Sequence, residues 1–199
     1  MGVKFSKRFA SFIIDVLILS FIMSIISFVF PENKNIEKLN NEMVEISEDY
    51  LDGEINEEEY LNKTAPLSYR IDKENFLYTA VEIVVTILYF VVFQFVRGGQ
   101  TIGKKLLGIK VIKQDGELQI NDMIFRSFII NSVLYSMISL LLLFTTKDMN
   151  YLYSISILGF IQSIIMIISV LMIIIRKDNL SLHDIITKTK VIEVKEWEN

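Results

Sequence analysis

Apolar residues gather in four long runs, and the polar segments between them differ sharply in chemistry. The first run, SKRFASFIIDVLILSFIMSIISFVF from Ser6 to Phe30, is apolar after its basic start apart from Asp15 and a few serines. At 1.5 Å per residue, about 20 such residues cross a ~30 Å hydrocarbon core. Four stretches meet that length, at about 9–30, 76–96, 123–144 and 151–175. They predict an all-α polytopic membrane protein with four transmembrane helices, built as a single domain over residues 1–199. The first run exceeds the roughly 7 to 15 apolar residues of a signal peptide and lacks a small-x-small cleavage pattern, so it is read as a retained span.

The polar segments predict three further features. In the insert 31–75, Ile36, Leu39, Met43, Ile46 and Tyr50 recur at helical spacing, Asp52-Gly53 marks a turn, and Ile55 to Leu61 reads as a second short helix before Pro66. This is a helical hairpin. In Arg97 to Asn121, Thr101 caps a short helix ending at Gly108, and Ile109 to Lys113 with Glu117 to Ile120 alternate around Gln114-Asp115-Gly116 as a β-hairpin. Asn121 then caps the third span. In the tail, Ser181 and Asp184 have capping-box spacing, and Lys190 to Lys195 alternates like a third strand for that hairpin, which two strands alone would leave marginal.

Charge sets the orientation. Lys4, Lys7 and Arg8, then Arg97, Lys104, Lys105, Lys110, Lys113 and Arg126, then Arg176, Lys177, Lys188 and Lys190 flank the same ends of the spans. The positive-inside rule places these segments and both termini in the cytoplasm, with the insert outside a plasma membrane. The net charge of −4 comes largely from acids of the insert, which reads either as a solvated face or as a surface for an extracytoplasmic protein partner. A mean hydropathy of +0.44 agrees with the membrane class, and the absence of cysteine excludes disulfides and thiolate metal sites.

The candidate chemistry lies inside the spans. A carboxylate near the centre of a membrane helix costs roughly 2.5 to 3.5 kcal/mol, so Asp15 requires compensation. Arg8, Ser11 and Asp15 fall on one stripe of the first helix, with Ser20, Ser24 and Ser27 on the opposite side as a face for close helix approach. Glu82 lies on a stripe with Thr79, Thr86, Tyr89 and Phe93 and is expected to be a second buried carboxylate. His183, the only histidine, is expected to hydrogen-bond and not to bind metal. Gly98, Gly103 and Lys104 fit GxxxxGK, but Lys105 stands where a phosphate-binding loop needs Ser or Thr, and a membrane helix precedes it. No nucleophile–base pair, metal cluster or phosphate loop stands out, so no enzyme activity, cofactor or nucleic-acid partner is expected.

Together, Arg8 and Asp15 in KRFASFIIDVLILS, the segment GGQTIGKKLLGIKVIKQDGE, Arg126 at a span start, and Asp184 in LHDIITKTKVI resemble the RDD family of small membrane proteins. The insert lies outside that pattern, and Thr187-Lys188 stand where small residues are usual. The resemblance implies transport of an unknown ligand, including cation/proton exchange. It singles out Arg8, Asp15, Arg126 and Asp184, with Glu82 added from the span pattern, as an ion pathway or signature network. Arg8, Asp15 and Asp184 are expected to converge. Two readings stay open: a transporter, which four spans would build as a homo-oligomer in the bilayer, and a non-transporting membrane adaptor whose insert binds a partner.

Overall fold

The computed structural model describes residues 2–30 and 33–194. The apolar runs form helices α1 (Phe5–Ser27), α4 (Phe76–Val96) and α8 (Asp148–Ile175), each long and apolar enough to cross a membrane. The third run does not form one straight helix. It is split into α6 (Ile120–Ile130) and α7 (Val133–Thr145), bent by 69°, so the described residues hold three such helices, or four spans if the bent pair counts as one. The break has a local cause: Ser132 is left-handed at φ 54°, a conformation that ends a helix. Across it, Gln162 of α8 donates at 3.1 Å both to the Ile129 carbonyl and to Ser132 Oγ, supplying partners that the helix no longer does. The cap of α6 is also corrected: Gln119, not Asn121, caps it, in reciprocal contact with Asp122.

The insert is a helical hairpin, α2 (Lys34–Leu51) and α3 (Glu57–Glu74). The turn contains Gly53 at φ +78°. Helix α3 is longer than its sequence suggested, because it runs through Pro66. Proline removes one backbone donor, and the burial of Ala65, Leu67 and Tyr69 around it holds the helix together. Tyr69 packs with Leu143 and Tyr151, while the Tyr151 hydroxyl donates to Asp72 at 2.7 Å. The hairpin is thereby fastened to the bundle.

At the other end lies a two-stranded antiparallel sheet. Strand β1 (Ile109–Lys113) pairs with β2 (Thr189–Glu193), with Val111 opposite Val191. The tail strand is therefore found, Lys195 lying outside the described residues, but Glu117 to Ile120 is not a strand. The edge it would need is taken. Val111 N–H donates to the Gly99 carbonyl at 3.0 Å, and the Ile109 carbonyl accepts from Gln100 at 2.9 Å. The free edge of β2 is taken in turn by Val3, whose N–H reaches the Val191 carbonyl at 3.0 Å. Val3, Val91, Ile109, Val111, Met123 and Val191 form the core beneath this sheet.

Two short helices complete this end. Thr101 caps α5 (Ile102–Leu106) as its sequence suggested, accepting from Lys104 N–H at 3.2 Å. Ser181 and Asp184 close a capping box on α9 (Leu182–Ile186). After α9, Lys188 adopts φ 50°, the left-handed conformation that glycine tolerates best.

Candidate functional site

Two buried carboxylates, each at the centre of its own polar cluster, organise the sheet end of the bundle. Asp15 is fully buried on α1 beside Ser11, the stripe that the helical spacing gives. Its Oδ1 accepts from the Tyr89 hydroxyl at 2.6 Å and from Gly103 N–H at 2.8 Å, and its Oδ2 from Thr101 Oγ1 at 2.6 Å. Lys104 Nζ stands 3.8 Å away. The charge is thus held by a hydroxyl pair, a helix N-terminus and an ammonium. Local backbone makes this possible. A π-helical stretch, Leu88–Phe93, buries Tyr89, Phe90 and Val91 together, and α5 approaches α1 so closely that a Cβ on Gly103 would run into Ser11 and Asp15. The GxxxxGK stretch therefore grips a carboxylate of its own chain.

The second carboxylate, Asp184, receives both arginines. Arg8 Nη1 donates to its Oδ2 at 2.6 Å, Arg126 Nη1 to its Oδ1, and Ser181 N–H to Oδ2 at 3.1 Å. Arg8 also donates to the Val3 and Asn179 carbonyls, and Arg126 Nη1 to Thr189 Oγ1. Burial acts to raise the Asp184 pKa, but Arg126 and the neighbouring cations overcome it and hold the carboxyl below the usual range. Burial, reinforced by Arg126, pushes His183 well below its usual value, so the imidazole is neutral. It hydrogen-bonds to Ser169 at 3.0 Å and Ser181 at 2.6 Å. Burial lowers Lys104 to about 8 against the opposing pull of Asp15.

Three expectations need correction. Arg8 converges with Asp184 but leaves Asp15 to Tyr89, Thr101, Gly103 and Lys104, because the N-terminus of α5 and the π-helical stretch reach that carboxylate first. Glu82 is exposed. It lines an open cleft of about 670 Å³ bordered by α1 and α4, so it is not the second buried carboxylate that the stripe predicts. Ser20, Ser24 and Ser27 are exposed as well, and Ser20 and Ser24 line that cleft in place of a packed neighbour.

Beyond the cleft, towards the sheet, lies a smaller cavity of about 190 Å³ whose walls include Arg8, Lys104, Arg126, Ser127 and His183. The two spaces adjoin: Phe12, Phe90, Ile130, Asn131 and Met166 line both. Asn131 stands at the junction, where its Nδ2 donates to Ser127 Oγ at 3.0 Å and its buried Oδ1 has no partner among the described residues.

Residues 3–188 match the RDD family, and the matched range contains Arg8, Asp15, Arg126 and Asp184 in the geometry just described. The chain belongs to the RDD family. Comparison with curated proteins and with solved structures gives no match. In this RDD protein the sequence reading found both carboxylates and both arginines but not Tyr89, Thr101, Gly103 and Lys104 as partners of Asp15. Thr101 was legible only as a helix cap and Tyr89 only as a residue on the Glu82 stripe. Among the described residues there is no group of three or more His, Asp or Glu side chains placed to hold a metal ion.

Proposed function

We propose that this RDD protein moves a small solute across the membrane along the cleft and the adjoining cavity. The observation that carries the reading is Asn131: a buried carbonyl oxygen, unpartnered among the described residues, at the junction of two largely apolar spaces, one carrying Ser20, Ser24 and Glu82 and the other Arg8, Lys104 and Arg126, where a purely structural residue would be expected to have its hydrogen bonds filled. In this reading Glu82 serves the mouth of the cleft. Asp15 anchors the bundle and does not relay protons, since both its oxygens already accept from fixed donors. The path lies within one chain, so the homo-oligomer that a four-span bundle suggested is no longer required. The basic flanks support an orientation with both termini in the cytoplasm of a plasma-membrane protein and the insert outside.

The chain has no cysteine, which makes the path directly testable. Single variants Ser20→Cys, Asn131→Cys and Ser127→Cys are reconstituted in vesicles and treated with a membrane-impermeant maleimide. Labelling of Ser20→Cys and Asn131→Cys from the cleft side, with Ser127→Cys reacting from the opposite side or only slowly, supports the path. Protection of all three means a sealed bundle. That outcome favours the second reading, an adaptor in which the acidic hairpin, fastened by Tyr151 to Asp72, presents its outer face to a protein partner.

A further inference from the structure

We propose that the 190 Å³ cavity binds a small organic carboxylate whose apolar body carries a hydrogen-bond donor. The inference rests on the transport reading for its purpose and on the cavity alone for its chemistry.

Charge selects an anion. The walls carry Arg8, Lys104 and Arg126, whose three positive charges face two carboxylates, Asp15 and Asp184. One positive charge is left over. Arg126 offers it: its Nη1 is committed to Asp184 and Thr189, while its Nε and Nη2 have no hydrogen-bond partner among the described residues. Guanidinium donors in a fork match a carboxylate in geometry. Lys104, bonded to Thr101 Oγ1 at 3.3 Å, keeps its charge on the same wall, and a cation entering this space would meet the net positive charge.

Size and wall chemistry select an organic anion. Phe5, Phe12, Met166, Val170 and Ile173 form much of the lining, which inorganic phosphate would desolvate against without return. A cavity of about 150 Å³ accommodates a benzene-sized body, so this one takes a ring with a carboxylate. Asn131 then defines the far end. Arg126 and Asn131 lie on the same helical segment, about 7.5 Å apart along its axis by helix rise. Asn131 Oδ1, unpartnered among the described residues, is an acceptor at that end for a donor on the ligand.

Lys104 gives the site a pH dependence. Among Asp15, Arg8, Arg126, Asp184 and the neutral His183, it is the group facing the cavity that loses its charge close to pH 8. Binding is therefore expected to weaken as pH rises from 7 to 9.

The test uses the detergent-solubilised full chain and equilibrium calorimetry with 4-hydroxybenzoate, benzoate, 4-hydroxybenzamide and inorganic phosphate. The expected order is 4-hydroxybenzoate first, benzoate weaker by about threefold or more, and the uncharged amide weaker by about tenfold or more, as expected when one neutral or one charged hydrogen bond is lost. Arg126→Lys and Lys104→Gln each weaken carboxylate binding, and Asn131→Leu abolishes the advantage of 4-hydroxybenzoate over benzoate. Asn131→Leu and Lys104→Gln leave the Arg8–Asp184–Arg126 cluster intact, so they remain informative if Arg126→Lys folds poorly. Amide binding equal to the acid, phosphate binding as tight as 4-hydroxybenzoate, or no binding to the folded wild type overturns the inference. Binding without flux strikes the transport reading alone, and a labelled path without binding strikes this inference alone.

Discussion

Arg8 and Asp184, 176 positions apart in the chain, meet at 2.6 Å. The contact joins the first membrane helix to the last short helix, and Arg126 completes it from α6. Three elements from the beginning, middle and end of the chain thus depend on one carboxylate with no exposure to solvent. Asp184→Ala leaves two guanidinium groups facing each other in a buried site. The expected loss is ~3 to 5 kcal/mol, with Arg8→Ala costing less because Arg126 still pairs with Asp184. Thermal unfolding of the two variants in detergent checks the order, and equal midpoints would contradict it.

Tyr89 and Asp15 give a milder case. Tyr89→Phe keeps the ring against Phe90 and Phe93 but removes one of three donors to the carboxylate, an expected cost of ~1 to 3 kcal/mol. Gly103→Ala is expected to cost more, since its Cβ would meet Asp15 Oδ1 at 2.8 Å and push α5 off α1. If Tyr89→Phe proves the more damaging of the two, close approach of backbone is not what sets this junction.

Much of this architecture was legible in sequence, and the parts that were not share a physical reason. Apolar run length placed α1, α4 and α8, and helical spacing placed Ser11 and Asp15 on one stripe, because both depend on local geometry alone. The break at Ser132 was hidden because a serine carries no signal for a left-handed backbone, and the donor that serves the opened turn, Gln162, lies thirty positions away. The strand expected at Glu117 to Ile120 failed for a similar reason, since Gly99 and Gln100 already occupy the edge of β1. Asp184 was readable as a helix cap and is one, and its meeting with Arg8 was expected from the return of the tail to that level, whereas Arg126 was legible only as a residue of the family signature and not as a partner of Asp184. Burial of Glu82 was inferred from its place in an apolar run, whereas the divergence of α1 from α4 opens a cleft there.

Gln162 is expected to hold the broken span in shape. Gln162→Leu leaves the Ile129 carbonyl and Ser132 Oγ without their donor, a loss of ~1 to 3 kcal/mol. Ser132→Val adds a β-branched residue to a left-handed position and is expected to be at least as harmful. Ser132→Gly suits the backbone and gives up only the hydroxyl. Melting temperatures ordered with glycine closest to wild type check this, and a valine variant as stable as glycine would exclude left-handed strain as the determinant.

The pH dependence of stability follows from His183 and Lys104, and both act in the same direction. His183 has its pKa lowered well below the ordinary 6.5 by burial, so the unfolded chain binds a proton more readily than the folded one below that pH. Folding is therefore weakened as pH falls through 6.5. Lys104, lowered to about 8 from 10.5, is protonated in the unfolded chain but mostly neutral in the folded one between those values. Its contribution strengthens folding as pH rises across that window. His183→Gln is expected to flatten the decline of stability between pH 6.5 and 5, although Asp184 retains its own acid sensitivity because its carboxyl, held low by the arginines, loses stability as it is protonated. Lys104→Met is expected to remove the rise between pH 8 and 10 without altering the acid limb. Thermal unfolding of wild type and both variants across pH 5 to 10 separates the two groups, and a Lys104→Met profile that still rises above pH 8 would assign that titration elsewhere.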